Sequence, residues 1–390
     1  MQLSPLPSGL PQPDKQTLAH SARVAEFIND RITASHGEIT FGEFMQLALY
    51  APGLGYYLAG NRKFGRGGDF VTAPEVSPLF GRVVARQCAH TLTQLTSGCI
   101  LEIGAGTGGL AEQVLNRLHD MAVLPDRYLI LEASPELAER QRARLCSALP
   151  DLFERIAWVD TIPADFDGVV LANEVADALP VERFRVADRI EQAFVASANT
   201  GFTIRWRPAT GALERAVDGL DIEFESGYSS EICLPLKPWV ASILQPLRHG
   251  LVLLFDYGLS RREYYAADRS GGWLRCHFRH RAHTEPLVLP GVQDITAWVD
   301  FTAVAEAASA NQAKVSGYVT QAMFLLRGGL QDEVVEAASS NLQTQSELSR
   351  QIKLLTLPDE MGEHFKCIGL GKGDLEVPNA LTDADRAGTL

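Results

Sequence analysis

The 390-residue chain has few features that would mark it for metal, membrane or nucleic acid. Its six cysteines, Cys88, Cys99, Cys146, Cys233, Cys276 and Cys367, stand far apart, and no C-x-x-C pair is present to chelate zinc or form a redox couple. A chain this long needs no disulfide staples, so reduced thiols and a cytoplasmic location are expected. No run of about 18 apolar residues occurs, and membrane insertion is not expected. The opening, Met1 to Lys15, is proline-rich. It lacks both a basic segment ahead of an apolar stretch and an Arg-rich amphipathic pattern, so it reads as a disordered tail and not as a signal or transit peptide. Positive charge is in deficit: 35 Lys and Arg against 48 Asp and Glu give a net charge of -13, which offers no general attraction to nucleic acid. The 33 Gly and 20 Pro follow no triplet period, and there is no internal repeat, which excludes a fibrous or solenoid chain. What is present is ordinary globular material, 46% hydrophobic and 21% charged, long enough for two domains or one heavily decorated domain.

Apolar spacing at Leu18, Val24, Phe27 and Ile28 predicts a helix over 16–33, and Thr40 with Glu43 has the form of a capping box opening a second. Tyr50-Ala51-Pro52-Gly53 stops that helix. Six glycines then lie between Gly53 and Gly68, among Tyr56, Tyr57, Arg62, Lys63 and Arg66: either a mobile surface loop or a flap whose backbone approaches a ligand. Three apolar runs follow, Cys99 to Glu102, Tyr128 to Glu132 and Gly168 to Asn173, separated by helical patterns such as Leu137 to Leu145. This alternation predicts an α/β fold with a parallel sheet. A helix at about Pro238 to Leu247 and a buried strand at Gly250 to Asp256 extend it. Residues 183–235 read as an antiparallel β-rich insertion and 258–296 as a second interruption. A last helix-strand unit is read at Val304 to Ala308 and Val319 to Leu326, with a helical tail before Phe365.

The sharpest motif is Leu101-Glu102-Ile103-Gly104-Ala105-Gly106-Thr107-Gly108-Gly109, where a strand turns into a helix. Bare backbone there can face a bound ligand. Gly104, Gly106 and Gly109 also satisfy the dinucleotide pattern, which keeps a dehydrogenase as an outside option. An acid two residues before the first glycine repels a pyrophosphate but suits a ligand carrying an ammonium and a sulfonium, as S-adenosylmethionine does. Glu132, 24 residues after Gly108, can accept hydrogen bonds from ribose hydroxyls. Asp160 is either an adenine contact or a plain loop aspartate. Asn173, Glu174 and Asp177 fall at the sheet's carboxyl edge, where Glu174 and Asp177 would share a face of a helical turn and could grip a guanidinium. The bland alternative is a helix cap at Asn173 or Asp177. His277, His280 and His283 have a metal-like spacing, but Arg275, Arg279 and Arg281 between them would repel a divalent cation, and no metal is expected. Tyr264, Tyr265 and Trp273 are lid anchors or satellite core.

Several segments together carry a family resemblance: Ile39 to Met45, Tyr50 to Tyr57, Gly68 to Glu75, the Glu102 to Gly108 turn, Asn173 to Pro180, Asp256 to Gly258, Pro290 to Phe301 and Leu357 to Gly362. The sequence resembles the MidA-like family of class I S-adenosylmethionine-dependent methyltransferases, which includes mitochondrial complex I assembly-factor protein arginine methyltransferases. The resemblance implies a Rossmann-like seven-stranded methyltransferase sheet with an N-terminal helical cap and β-rich or loop insertions. The implied layout is a tail at 1–15, a helical cap and Gly-rich lid at 16–80, a methyltransferase domain at 81–376 and a tail at 377–390. It also implies S-adenosyl-L-methionine as cofactor at Glu102, Gly104, Gly106, Gly108 and Glu132, and a lid including Gly68, Asp69, Thr72 and Glu75. The acceptor would be an arginine of a respiratory-complex protein, oriented by Glu174, Asp177 and Asn173. A small-molecule methyltransferase and a cofactor-holding assembly factor without turnover are the alternatives. The oligomeric state is open, a homodimer among the options.

Overall fold

Short apolar runs bounded by polar turns suit the strands of a mostly parallel sheet covered by helices, and seven strands form one here. In chain order these strands are β1 (Cys99–Ile103), β2 (Tyr128–Leu131), β3 (Ile156–Val159), β4 (Phe166–Asn173), β5 (Leu247–Leu259), β6 (Lys314–Thr320) and β7 (Phe365–Lys372). Across the sheet the order is β6-β7-β5-β4-β1-β2-β3. From β3 to β5 all neighbours are parallel, while β7 runs antiparallel between β5 and β6. Ile103 of β1 pairs with Leu131 on one side and Ala172 on the other, so β1, β2 and β4 finish level with one another.

The computed structural model describes residues 3–59, 72–209, 211–337 and 341–390. The chain divides into two units, one of Met1–Phe70, Asp177–Leu236 and Arg261–Val299, the other of Val71–Ala176, Lys237–Ser260 and Asp300–Leu390. The second contains the seven strands. Helices Pro78–Leu92 and Gly109–Asp120 cover the sheet with Leu79, Val83, Leu110, Val114 and Leu118, packed against Ile100, Ile130 and Val169. In the first unit Ile190–Ser197 pairs antiparallel with Glu182–Val186, Phe202–Pro208 and Ile39–Thr40. A three-stranded sheet of Asp294–Thr296, Arg275–Phe278 and Arg281–His283 completes it.

Several expectations are corrected. The opening is not a free tail: Leu3 and Leu6 pack on apolar clusters, Pro13 is buried, and Asp14 caps helix Lys15–Ala34 by accepting from Thr17 N at 2.8 Å. Nor is 377–390 a tail, since Ala380 and Leu381 are fully buried and Tyr318 N donates to Asp385 Oδ1 at 2.8 Å. The break between units falls after Phe70 and not at 80. Leu247 opens β5, the preceding helix being Leu236–Leu244. Only the first residues of Val319 to Leu326 are strand, because Thr320 Oγ1 accepts from Met323 N at 3.3 Å and starts helix Gln321–Arg327. The capping box forms by half: Thr40 Oγ1 accepts from Glu43 N at 3.1 Å, but the Glu43 carboxylate pairs with Arg31 at 2.6 Å. Tyr56 and Tyr57 are core residues of the first unit, Tyr57 Oη donating to Asp294 Oδ1 at 2.8 Å.

The three histidines belong to a hairpin. Cys276 pairs with His283 and His277 with Ala282, so His277 and His283 leave opposite faces, while His280 occupies the turn at φ +60°. Among the described residues no group of three His, Cys, Asp or Glu could hold a metal, and no helix is long and apolar enough to cross a membrane.

Candidate functional site at the carboxyl edge of the sheet

After β1 the chain bends through Gly104, Gly106 and Gly108 at φ +67°, +53° and +80°, a left-handed backbone that side chains resist. A Cβ on Gly104 would lie 3.1 Å from Val175 Cγ2, whereas one on Gly106 would meet nothing within 4 Å. The turn therefore has open space beside the Gly106 backbone, where a ligand could approach the main chain. Gly104 N donates to Leu131 O at 3.0 Å, which ties the turn to the end of β2, and Gly108 caps helix Gly109–Asp120.

Two carboxylates flank the turn in different settings. Glu102 is buried, 3% exposed, with Tyr128 Oη donating to its Oε2 at 2.7 Å. Burial pushes its carboxyl up to about 7, against the Tyr128 hydrogen bond and with a small contribution from the Glu132 charge. Its place is inside the sheet layer. Glu132 is half-buried, its Oε1 accepting from Ser134 N at 2.9 Å and its Oε2 from Gln141 Nε2 at 2.9 Å. Asp160 is exposed beyond the end of β3.

Thr72 precedes the short helix Ala73–Val76, and its carbonyl accepts from Glu75 N at 2.9 Å. Thr107 of the glycine turn donates to Glu75 Oε1, and Arg144 donates to Thr107 Oγ1 at 2.9 Å and to Glu112 Oε2 at 2.7 Å. Glu75 is thereby fastened to the turn itself. Gly68 and Asp69 lie outside the described residues, as do Arg62, Lys63 and Arg66.

Asn173 ends β4, and Glu174 follows with φ +55°, a conformation costly for a side chain with a Cβ. Glu174 N donates to Phe255 O at 2.9 Å and Ala176 N to Asp256 Oδ2 at 2.9 Å, while Asp256 Oδ1 accepts from Tyr257 N at 2.9 Å. Asn173 Nδ2 donates to Glu174 Oε1 at 3.1 Å, and Asn173 Oδ1 is buried without a hydrogen-bond partner. The expected helical turn uniting Glu174 and Asp177 is absent, because the left-handed Glu174 diverts the chain into bends, and neither Asn173 nor Asp177 caps a helix. Asp177 belongs to the other unit, where it is buried and its carbonyl accepts from Ala297 N at 2.9 Å. Tyr264, Tyr265 and Trp273 are core of that unit: Tyr264 Oη donates to Glu231 Oε1 at 3.0 Å, and Trp273 stacks on Trp298 at 4.2 Å between ring centroids.

Two residues of this edge carried no role in the sequence reading. Asp256 is a fully buried acid ending an apolar strand run, and Gln141 is a fully buried amide in a stripe with Leu137 and Leu145. A polar residue at an apolar position was the available signal for each.

A family model described as “Putative S-adenosyl-L-methionine-dependent methyltransferase” matches residues 83–319. The chain is 38% identical to a Burkholderia thailandensis protein crystallised bound to S-adenosyl-homocysteine, with a TM-score of 0.93 over 98% of this chain and 100% of that one. It is 28% identical to the mitochondrial protein arginine methyltransferase NDUFAF7 homolog of Drosophila melanogaster, over 93% of this chain and 89% of the relative. It is also 28% identical to mitochondrial protein arginine methyltransferase NDUFAF7 of Danio rerio, over 85% and 82%.

Proposed function

The chain belongs to the S-adenosyl-L-methionine-dependent methyltransferase family, and from that premise we propose that it methylates a guanidinium nitrogen of arginine in a protein substrate. The carrying observation is the shared carboxyl edge: β4, β1 and β2 are adjacent, parallel and level, so Glu174, the Gly104 turn and Glu132 follow one another along it. The protein arginine acceptor is supported by the names of the curated relatives.

When bound, S-adenosyl-L-methionine supplies a methyl group on a positively charged sulfur that departs as a neutral thioether. In this proposal the Gly104, Gly106 and Gly108 backbone cradles it, Glu132 accepts from its ribose, Glu102 favours its positive charge and Asp160 contacts its base. Thr72 and Glu75 are assigned to its binding, Glu75 from its place fastened to the glycine turn, and Gly68 and Asp69 are assigned to the same role by the family resemblance. An arginine side chain is always protonated, so its attacking nitrogen must shed a proton as the new bond forms. The Glu174 carboxylate orients that nitrogen and receives the proton, while Asn173 steadies Glu174 Oε1 and offers its unpartnered Oδ1 to a guanidinium N–H. Asp177 is assigned a share in acceptor recognition, tested by its own Asp177→Asn variant. Cytoplasmic residence is part of the proposal, supported by six free cysteines, although the curated relatives are named mitochondrial.

Incubation of a lysate with the enzyme and methyl-labelled donor should yield labelled methylarginine after hydrolysis of the protein fraction. Label only in small molecules would move the acceptor to a metabolite, and donor retained without transfer would leave an assembly factor. A melting temperature raised by NAD but not by S-adenosyl-L-methionine would sink the site assignment.

A further inference from the structure

We infer that Gln141 is a positioning residue that sets the ribose-binding carboxylate against the glycine turn. It rests on the assignment of Glu132 to the ribose. Helix Pro135–Ala148 buries Leu137, Ala138, Gln141 and Leu145 along one stripe, and Gln141 is the one strongly polar member, with no exposed surface. Both amide N–H groups and the oxygen are engaged. Nε2 donates to Gly106 O and to Glu132 Oε2, each at 2.9 Å, and Oε1 accepts from Trp158 Nε1 at 2.9 Å.

These partners come from the ends of three different strands: the turn after β1, the residue after β2, and β3 two residues before Asp160. The indole can only donate and the carboxylate and carbonyl can only accept, so a single amide orientation satisfies all three. Trp158 is itself held, with the Arg142 guanidinium 4.6 Å over its ring and Phe153 6.2 Å away between centroids. A donor pair between two acceptors is what a glutamine supplies and a glutamate or leucine cannot. Without it, Glu132 and the Gly106 carbonyl would lose their shared anchor, and the carboxylate, still bonded to Ser134 N through Oε1, would no longer be set against the turn through Oε2. The acceptor side, Asn173 and Glu174, makes no hydrogen bond with Gln141, so its geometry should persist.

The test is a cycle of two ligands and three proteins by calorimetry: S-adenosyl-homocysteine and its 3′-deoxyribose analogue against wild type, Gln141→Leu and Gln141→Glu. Wild type should prefer the ribose ligand by about tenfold or more, as a hydrogen bond to a charged group gives. In Gln141→Leu that preference should fall below about twofold, with KM for the donor raised about tenfold and kcat within about threefold. Gln141→Glu, of the same shape and the alternative where the leucine variant does not fold, should lose the preference at pH 8. A merely structural role would weaken both ligands equally and leave their ratio intact, and that result overturns the inference. Absence of a ribose preference in wild type overturns the Glu132 assignment and the inference with it.

Discussion

Glu132 and Asn173 stand at the ends of the two strands that flank β1, and they are finished in opposite ways. Each Glu132 oxygen has an internal donor, from Ser134 N and from Gln141, and the neighbouring turn is braced through Thr107, Glu75 and Arg144. Asn173 retains a buried oxygen without a partner and is followed by Glu174 in left-handed backbone. A buried unmade hydrogen bond and a strained residue each cost on the order of 1–3 kcal/mol. The β2 side is thus built to keep its shape whatever is bound, whereas the β4 side carries a cost that an arriving donor group can relieve. Binding and chemistry should separate along that line.

The harshest way to break the comparison is Gly104→Val. A branched side chain at φ +67°, already 3.1 Å from Val175 at its Cβ, should lower donor affinity by about 100-fold or more, and an unchanged calorimetric affinity in a folded variant would remove the turn from the site. Glu174→Gln should cost about 100-fold in kcat, in the range of a lost proton acceptor, while S-adenosyl-homocysteine affinity stays within about twofold. The reverse pattern would exchange the roles of the two sides. Asp256→Ala strands the amides of Ala176 and Tyr257 and should lower unfolding free energy by about 2–4 kcal/mol in urea titrations, with Asp256→Asn retaining part of it.

The smallest effect is one of pH. A donor cation favours the charged form of Glu102, so affinity should fall by up to about tenfold as pH drops from 8 to 6 through its carboxyl near 7, and Glu102→Gln should flatten that profile. Stability runs the other way. Because the folded protein holds this proton more tightly than the unfolded chain, stability is lost as pH rises from about 4.5 through 7. Glu102→Gln should therefore raise the melting temperature more at pH 8 than at pH 5, read by calorimetric scans.

The backbone of the candidate site was legible from residue type. Gly104, Gly106 and Gly108 stand where the chain turns left-handed, and the place of Glu132 just past the next strand follows from the apolar run that precedes it. The α/β alternation was equally legible, since buried parallel strands are unbroken apolar runs. What the sequence could not reveal was partnership across long separations. Gln141 joins Gly106, Glu132 and Trp158, and Asp256 holds Ala176 from 80 residues away, and no local pattern encodes either. Glu174 misled because Glu-x-x-Asp suits a helical face, whereas the hydrogen bond from its own N to Phe255 O accompanies a left-handed kink. The proline-rich opening looked unstructured because its few anchors, Leu3, Leu6 and Pro13, form no periodic pattern.

The position of β7 has a consequence for biosynthesis. Phe365–Lys372 leaves the ribosome after the other six strands of its sheet, yet it fills the gap between β5 and β6. Until it emerges, one flank of each neighbour lacks its hydrogen-bonding partner, and such bare flanks invite association between nascent chains. Termination between Thr320 and Phe365 would thus leave β6 cut off from the rest of the sheet, a product for chaperones and proteases and not a shortened enzyme.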